Sequence, residues 1–206
     1  MKIAYKLTNS KMRTYYEFQW ELGKWYKTTG EGGLCSPSWL YFYSDPLVGM
    51  FMNPDHSNIK NPRLFRAEVE GKFLDNNGLK CGYSRARLIE ELPVPQISPV
   101  QRVRFAILCA KEVYKRKEWN KWANNWLSGK DRTKESAAII ANIVSAVESA
   151  VQSTAQSAFC AVQSAASIAS AFCTGKSAKS AAKSAFYAAK SKKIDLIGIA
   201  RKAMEE

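Results

Sequence analysis

The sequence predicts an α+β protein: a small mixed N-terminal sheet domain followed by a C-terminal bundle or hairpin of long helices rich in alanine and serine. Three observations carry that expectation. Aromatic and β-branched runs alternate with glycine turns over the first ninety residues, a capped amphipathic helix follows a proline-rich connector at 93–98, and nothing breaks an alanine-rich stretch from 137 to about 173.

In the first part, residues 1–92, the segments KIAYKL, TYYEFQW, WLYFY, LFRAEVE and SRARLIEEL read as short strands. Gly30, Gly32 and Gly33 mark one loop, and Asp75-Asn76-Asn77-Gly78 is a turn whose Asn-Gly suits positive φ. Ser44-Asp45-Pro46 caps a short helix expected to run to about Met52. After the connector, Ser98-Pro99-Val100-Gln101 has the form of a capping box. Behind it Val100, Val103, Ile107, Ala110 and Tyr114 step by three and four, and the helix is expected to continue through Trp119, Trp122 and Trp126 to Ser128-Gly129, so that 99–129 is one tryptophan-bearing element.

The last part, 131–206, begins with Asp131 or Thr133 as a cap and is expected to hold one rod roughly 55 Å long. Val147, Val151, Ala155, Ala158, Val162, Ala165, Ala169 and Phe172 form its narrow seam, flanked by Ser-Ala pairs at Ser145, Ser149, Ser157 and Ser164. Small residues at that spacing let backbones approach closely, which predicts a hairpin or self-association. Gly175 ends this helix, Ser177 begins a shorter one, and 194–204 reads as a terminal amphipathic segment.

At 206 residues and 46% apolar, the chain can bury a core. Charge is unevenly distributed: 13 Lys and Arg against 10 Asp and Glu in residues 1–100, but 18 against 8 in residues 101–206, or +3 and +10. An excess of that size points to a polyanionic partner, most readily DNA or RNA, with an anionic membrane face or an acidic protein as alternatives. Cys35, Cys81, Cys109, Cys160 and Cys173 are odd in number without paired spacing, and the start MKIAYKLTNS has no apolar h-region, so a reducing cytoplasm is expected. The uncharged span 149–175 is too rich in Ser, Thr and Gln to favour crossing a membrane.

The sharpest motif is a lysine stripe. Lys176, Lys179, Lys183 and Lys190 lie three, four and seven apart, Lys192 and Lys193 follow, and no acidic residue interrupts 176–193. Such a face suits a phosphate backbone and carries little sequence information. A solvated face that only keeps an alanine helix in solution stands beside that reading. A second basic stretch interleaves Lys115, Arg116 and Lys121 with Trp119, Trp122 and Trp126; these rings could stack on bases, or simply face a core.

Catalytic constellations are scarce, and the chain is read as leaning away from an enzyme. Thr174-Gly175-Lys176-Ser177 lacks the P-loop's earlier glycine, its place being taken by Ser170. The sole histidine, His56, is expected in a surface loop, and His56, Cys35 and Cys81 show no metal-ligand spacing. No cofactor is expected.

Trp39-Leu40-Tyr41-Phe42-Tyr43-Ser44-Asp45-Pro46-Leu47 and Leu64-Phe65-Arg66-Ala67-Glu68-Val69-Glu70-Gly71, with Phe105-Ala106-Ile107-Leu108-Cys109-Ala110, Trp122-Ala123 and Trp126-Leu127-Ser128-Gly129-Lys130-Asp131-Arg132, resemble a family of tailed-phage proteins that end in alanine-rich helical repeats. That resemblance covers most of residues 1–135. It implies a phage origin, a setting in the host cytoplasm and an accessory role in host takeover, without an established activity. More distantly, an aromatic strand, Ser-Asp before a short helix and a strand ending in Glu-Val-x-Gly are similar to the core of ADP-ribosyltransferases. This likeness implies Tyr43 or Ser44 in the middle-strand position and Glu90 or Glu91 as the late glutamate, acting on a host protein. The early-strand position holds only Tyr5-Lys6 where such enzymes carry histidine or arginine.

Overall fold

The computed structural model describes residues 1–34, 36–148, 156–170 and 177–205. The chain divides into two compact units, 1–96 and 97–206, so their boundary falls inside the connector. Strands lie in the first unit and most helices in the second, which makes the protein α+β.

In the first unit β1 (Lys2–Thr8) pairs with β4 (Arg63–Asp75) and β4 with β5 (Cys81–Leu92), while β5 also takes β2 (Tyr26–Lys27) and β3 (Leu40–Phe42). Every one of these pairings is antiparallel, where a mixed sheet was expected; a bridge between Leu22 and Leu88 is parallel. Tyr43, just past β3, exchanges two backbone hydrogen bonds of 2.8 Å with Tyr5 in β1, and the sheet thereby closes on itself. The long β4 bends through that closure because its register with β5 shifts twice. At the second shift Gly71 has φ +82°, and a Cβ there would stand 2.3 Å from the Ser84 hydroxyl oxygen that accepts the Lys72 N–H, so only glycine fits. Alternate residues Ala4, Phe65, Ala67, Val69, Ala86 and Leu88 meet Trp20, Leu40, Phe42 and Tyr83 in the core.

The segment TYYEFQW does not form the expected strand. Tyr15–Glu17 is a tight turn in which Tyr16 and Glu17 both take φ 56°, and of its aromatic residues only Trp20 reaches the core. An alternating strand with Trp20 inside would also have turned Tyr16 and Phe18 inward, whereas both are exposed. Helix α1 (Pro46–His56) begins as expected, with the Asp45 carboxylate accepting the Leu47 N–H at 2.8 Å, but runs a turn beyond Met52 and carries His56 out of the expected loop.

In the second unit α2 (Pro99–Val113) starts at a complete capping box: Ser98 N–H donates to the Gln101 side chain at 2.8 Å, and Gln101 N–H to the Ser98 hydroxyl oxygen at 3.2 Å. The expected continuation through the tryptophans is broken. Tyr114 is extended (φ −121°, ψ 116°), and α3 (Lys117–Leu127) starts anew. The break lets Tyr114 and Trp119 meet edge to face at 6.3 Å, while α3 packs on both α2 and α4 (Lys134–Glu148).

Asp131 accepts from the Thr133 N–H and hydroxyl at 3.0 and 2.8 Å, and Thr133 in turn accepts the Ser136 N–H at 3.3 Å, so both expected capping residues take part. Helix α4 and α5 (Gln156–Ser170) pack against each other. Two helices of 15 residues, each about 22 Å long, therefore replace the single rod. Alanine and serine faces gain too little from burial to stand alone, and side-by-side packing covers them. Helix α6 (Ser177–Ser191) packs on α2 and α5, and α7 (Leu196–Met204) on α2. Of the seam, Val162, Ala165 and Ala169 are buried within the chain; Val147, Val151, Ala155, Ala158 and Phe172 lie outside the described side chains, as does the expected stop at Gly175.

Candidate nucleic-acid interface

Helix α6 has two faces. Ala181, Ala182, Ala185, Ala188 and Ala189 are buried against its neighbours, together with Ser184, which is 0% exposed. The Ser184 hydroxyl lies 2.9 Å from the Ala106 carbonyl of α2 and 2.9 Å from the Ala161 carbonyl of α5, so one side chain links three helices. Small residues make that link possible, and the lysines are consequently turned outward: Lys179, Lys183 and Lys190 are exposed. At about 100° per residue the three fall within an arc of about 40°. Lys192 and Lys193 are exposed just beyond the helix, and Lys176 lies outside the described residues.

Ion pairing distinguishes the two units more sharply than net charge does. Among the described residues, Arg63–Glu91, Arg66–Glu90, Arg87–Glu68 and Arg85–Glu70 pair across the sheet of the first unit, the head, and Arg13–Glu17, Lys24–Glu21 and Lys72–Glu31 pair around it. In the helical unit Lys192 pairs with Glu112 at 3.7 Å and also donates to the Glu112 carbonyl at 3.3 Å. Lys179, Lys183 and Lys190 thus meet solvent, and none of them pairs with a carboxylate among the described residues.

A second group of cations was not legible as a unit. Burial and the nearby Lys202 and Lys115 ammonium groups push Lys111 below the ordinary lysine range, which places cations of α2, α7 and the α2–α3 link close together. Lys115, whose ammonium donates to the Lys111 carbonyl at 2.5 Å, was expected to belong to a basic and aromatic site. Lys111 and Lys115 are four apart on the chain, but Lys202 joins them only through tertiary packing.

The aromatic half of that expected site is corrected. Trp119, Trp122 and Trp126 are 1%, 7% and 1% exposed, and the Trp122 indole N–H donates to Ser136 at 3.2 Å. Their spacing of three and four marks a core stripe, so no base can stack on them. Arg116 and Lys121 remain exposed.

The residues suggested by the transferase likeness do not converge either. Tyr43 pairs with Tyr5, Tyr5 with Arg66 and Arg66 with Glu90, three inter-strand steps of roughly 4.8 Å each. Glu90 and Glu91 are held by Arg66 and Arg63. The Tyr43 hydroxyl lies 3.4 Å from His56 Nδ1 with the rings stacked at 6.0 Å. Burial pushes the phenol up to about 12, and burial with the Lys80 charge pushes the imidazole down to about 4, leaving neither ionised near neutrality.

Compared with family models, curated proteins and solved structures, the chain matches none of them. Among the described residues no three His, Cys, Asp or Glu side chains gather to hold a metal, and no helix is long and apolar enough to cross a membrane.

Proposed function

We propose that the protein is a non-enzymatic accessory protein that binds a polyanion, foremost nucleic acid, through the outer face of α6, with Lys179, Lys183, Lys190 and Lys193 making the contacts. The carrying observation is the contrast in ion pairing: the head's sheet cations face carboxylates, and the α6 lysines do not. Each phosphate neutralised by a lysine releases condensed counterions, so exposed ammonium groups on one face gain most from a partner of high charge density. The Lys111, Lys115 and Lys202 group extends the positive field, since an anion nearby would relieve their mutual repulsion. The alanine and serine helices supply the scaffold, a hairpin or bundle that turns the lysines outward. The likeness to tailed-phage proteins supports a setting in the host cytoplasm, where nucleic acid is the abundant polyanion.

The test compares two variants that lose the same charge. Lys179→Gln/Lys183→Gln/Lys190→Gln should weaken binding of a labelled oligonucleotide by at least about tenfold at low salt, while Lys2→Gln/Lys11→Gln/Lys27→Gln in the head should change it by less than about threefold. Equal losses would show that net charge alone attracts the ligand; unaltered binding in both would remove the α6 face from the account.

A further inference from the structure

The lysine face of α6 is interrupted, and what interrupts it is aromatic. Lys179 and Lys183 are four residues apart, but Lys183 and Lys190 are seven apart, and Phe186 and Tyr187 occupy the gap. At about 100° per residue Phe186 falls on one flank of the lysine arc and Tyr187 on the other. Neither ring is fully buried, and they meet edge to face at 5.4 Å with an interplanar angle of 75°. The order along the outer face is therefore cation, cation, aromatic pair, cation, over an axial length of about 16 Å.

We propose that this face takes single-stranded nucleic acid, with lysines on the backbone and an unstacked base against Phe186 or Tyr187. The inference rests on the polyanion reading and narrows it. A duplex presents phosphates but keeps the flat faces of its bases inside the stack, so a half-exposed ring gains little from it beyond the lysine contacts. A single strand offers both charges and free base faces, and the ring–base contact tolerates any sequence because each base has a π-face. Phe186 and Tyr187 also carry the role that the sequence had suggested for Trp119, Trp122 and Trp126, which the fold spends on its core.

The experiment uses the full chain, a labelled single-stranded oligonucleotide of mixed sequence, its duplex, and anionic phospholipid vesicles. The wild type should bind the single strand at least about fivefold more tightly than the duplex, in line with the gain from stacking one base. Phe186→Leu/Tyr187→Leu, which keeps apolar bulk, should lose that preference while circular dichroism and the melting temperature stay unchanged. Phe186→Trp, with a broader ring, should keep or strengthen it and serves if the leucine variant fails to fold. The Lys179→Gln/Lys183→Gln/Lys190→Gln variant should bind both the single strand and the duplex at least about tenfold more weakly. Equal or tighter duplex binding, or a leucine variant with unchanged single-strand affinity, overturns the stacking inference while the polyanion reading stands. Binding of vesicles without either nucleic acid overturns both.

Discussion

Lys6 sits inside the closed sheet of the head, 7% exposed, where an ammonium group has few ways to be satisfied. Its Nζ donates to the Tyr41 carbonyl at 2.6 Å and stands 5.1 Å from the centres of the Trp20 and Phe42 rings, and none of the ion pairs among the described residues includes it. Burial pushes its pKa down to about 7, opposed in part by the Cys81 thiol. Between about 7 and the ordinary 10.5 the unfolded chain binds the extra proton, so this residue makes stability rise with pH across that window and is most costly below 7. Lys6→Met should therefore stabilise the protein, with a gain that is largest near pH 6.5 and shrinks by pH 9.5, as read by urea melts of both proteins. A gain independent of pH would show that packing, not protonation, is responsible. The alternation of KIAYKL made β1 legible, but nothing local says that the face bearing Ala4 and Lys6 is the inner one. That follows from Tyr5 closing the sheet with Tyr43, thirty-eight positions away.

At the scale of elements, hydrogen bonds at helix ends and crossings decide the packing. Arg104 of α2 donates to the Leu127 carbonyl at 3.1 Å and the Lys202 carbonyl at 3.4 Å, serving the C-terminal ends of α3 and α7 with one guanidinium. Both ends carry partial negative charge, so Arg104→Ala should cost about 1–3 kcal/mol in denaturant melts, and Arg104→Lys, unable to reach two carbonyls, should recover only part of it. Ser184→Ala should cost about 1 kcal/mol, whereas Ser184→Leu, forced into the contact of three helices, should cost roughly 1–3 kcal/mol or prevent folding. A Ser184→Leu variant as stable as wild type would mean that α2, α5 and α6 are not so closely packed. Element starts were legible because Ser98, Gln101 and Asp45 act on residues two or three positions away. Element ends were less so: the break at Tyr114 is imposed by its packing with Trp119 and by α3 turning onto α4, and no proline or glycine announces it. The expected rod overlooked the packing of α4 against α5 for the same reason, since alanine favours helix in either arrangement.

For the molecule as a whole, the division of charge at the connector was visible in the sequence, but its meaning was not. Glu68, Glu70, Glu90 and Glu91 read as acidic residues on strands; pairing across the sheet shows them neutralising the head's arginines. The lysine stripe was legible because helical periodicity alone puts Lys179, Lys183 and Lys190 on one side. The Lys111, Lys115 and Lys202 group was not, because its members come from helices far apart in the chain. The most direct test is the salt dependence of oligonucleotide binding by the full chain. A plot of log affinity against log salt should be linear, with a slope of about −2 to −4, corresponding to three to five lysine–phosphate contacts. The Lys179→Gln/Lys183→Gln/Lys190→Gln variant should flatten that slope by about 2. A wild-type slope near zero, or no binding at low salt, would contradict attachment through the α6 face.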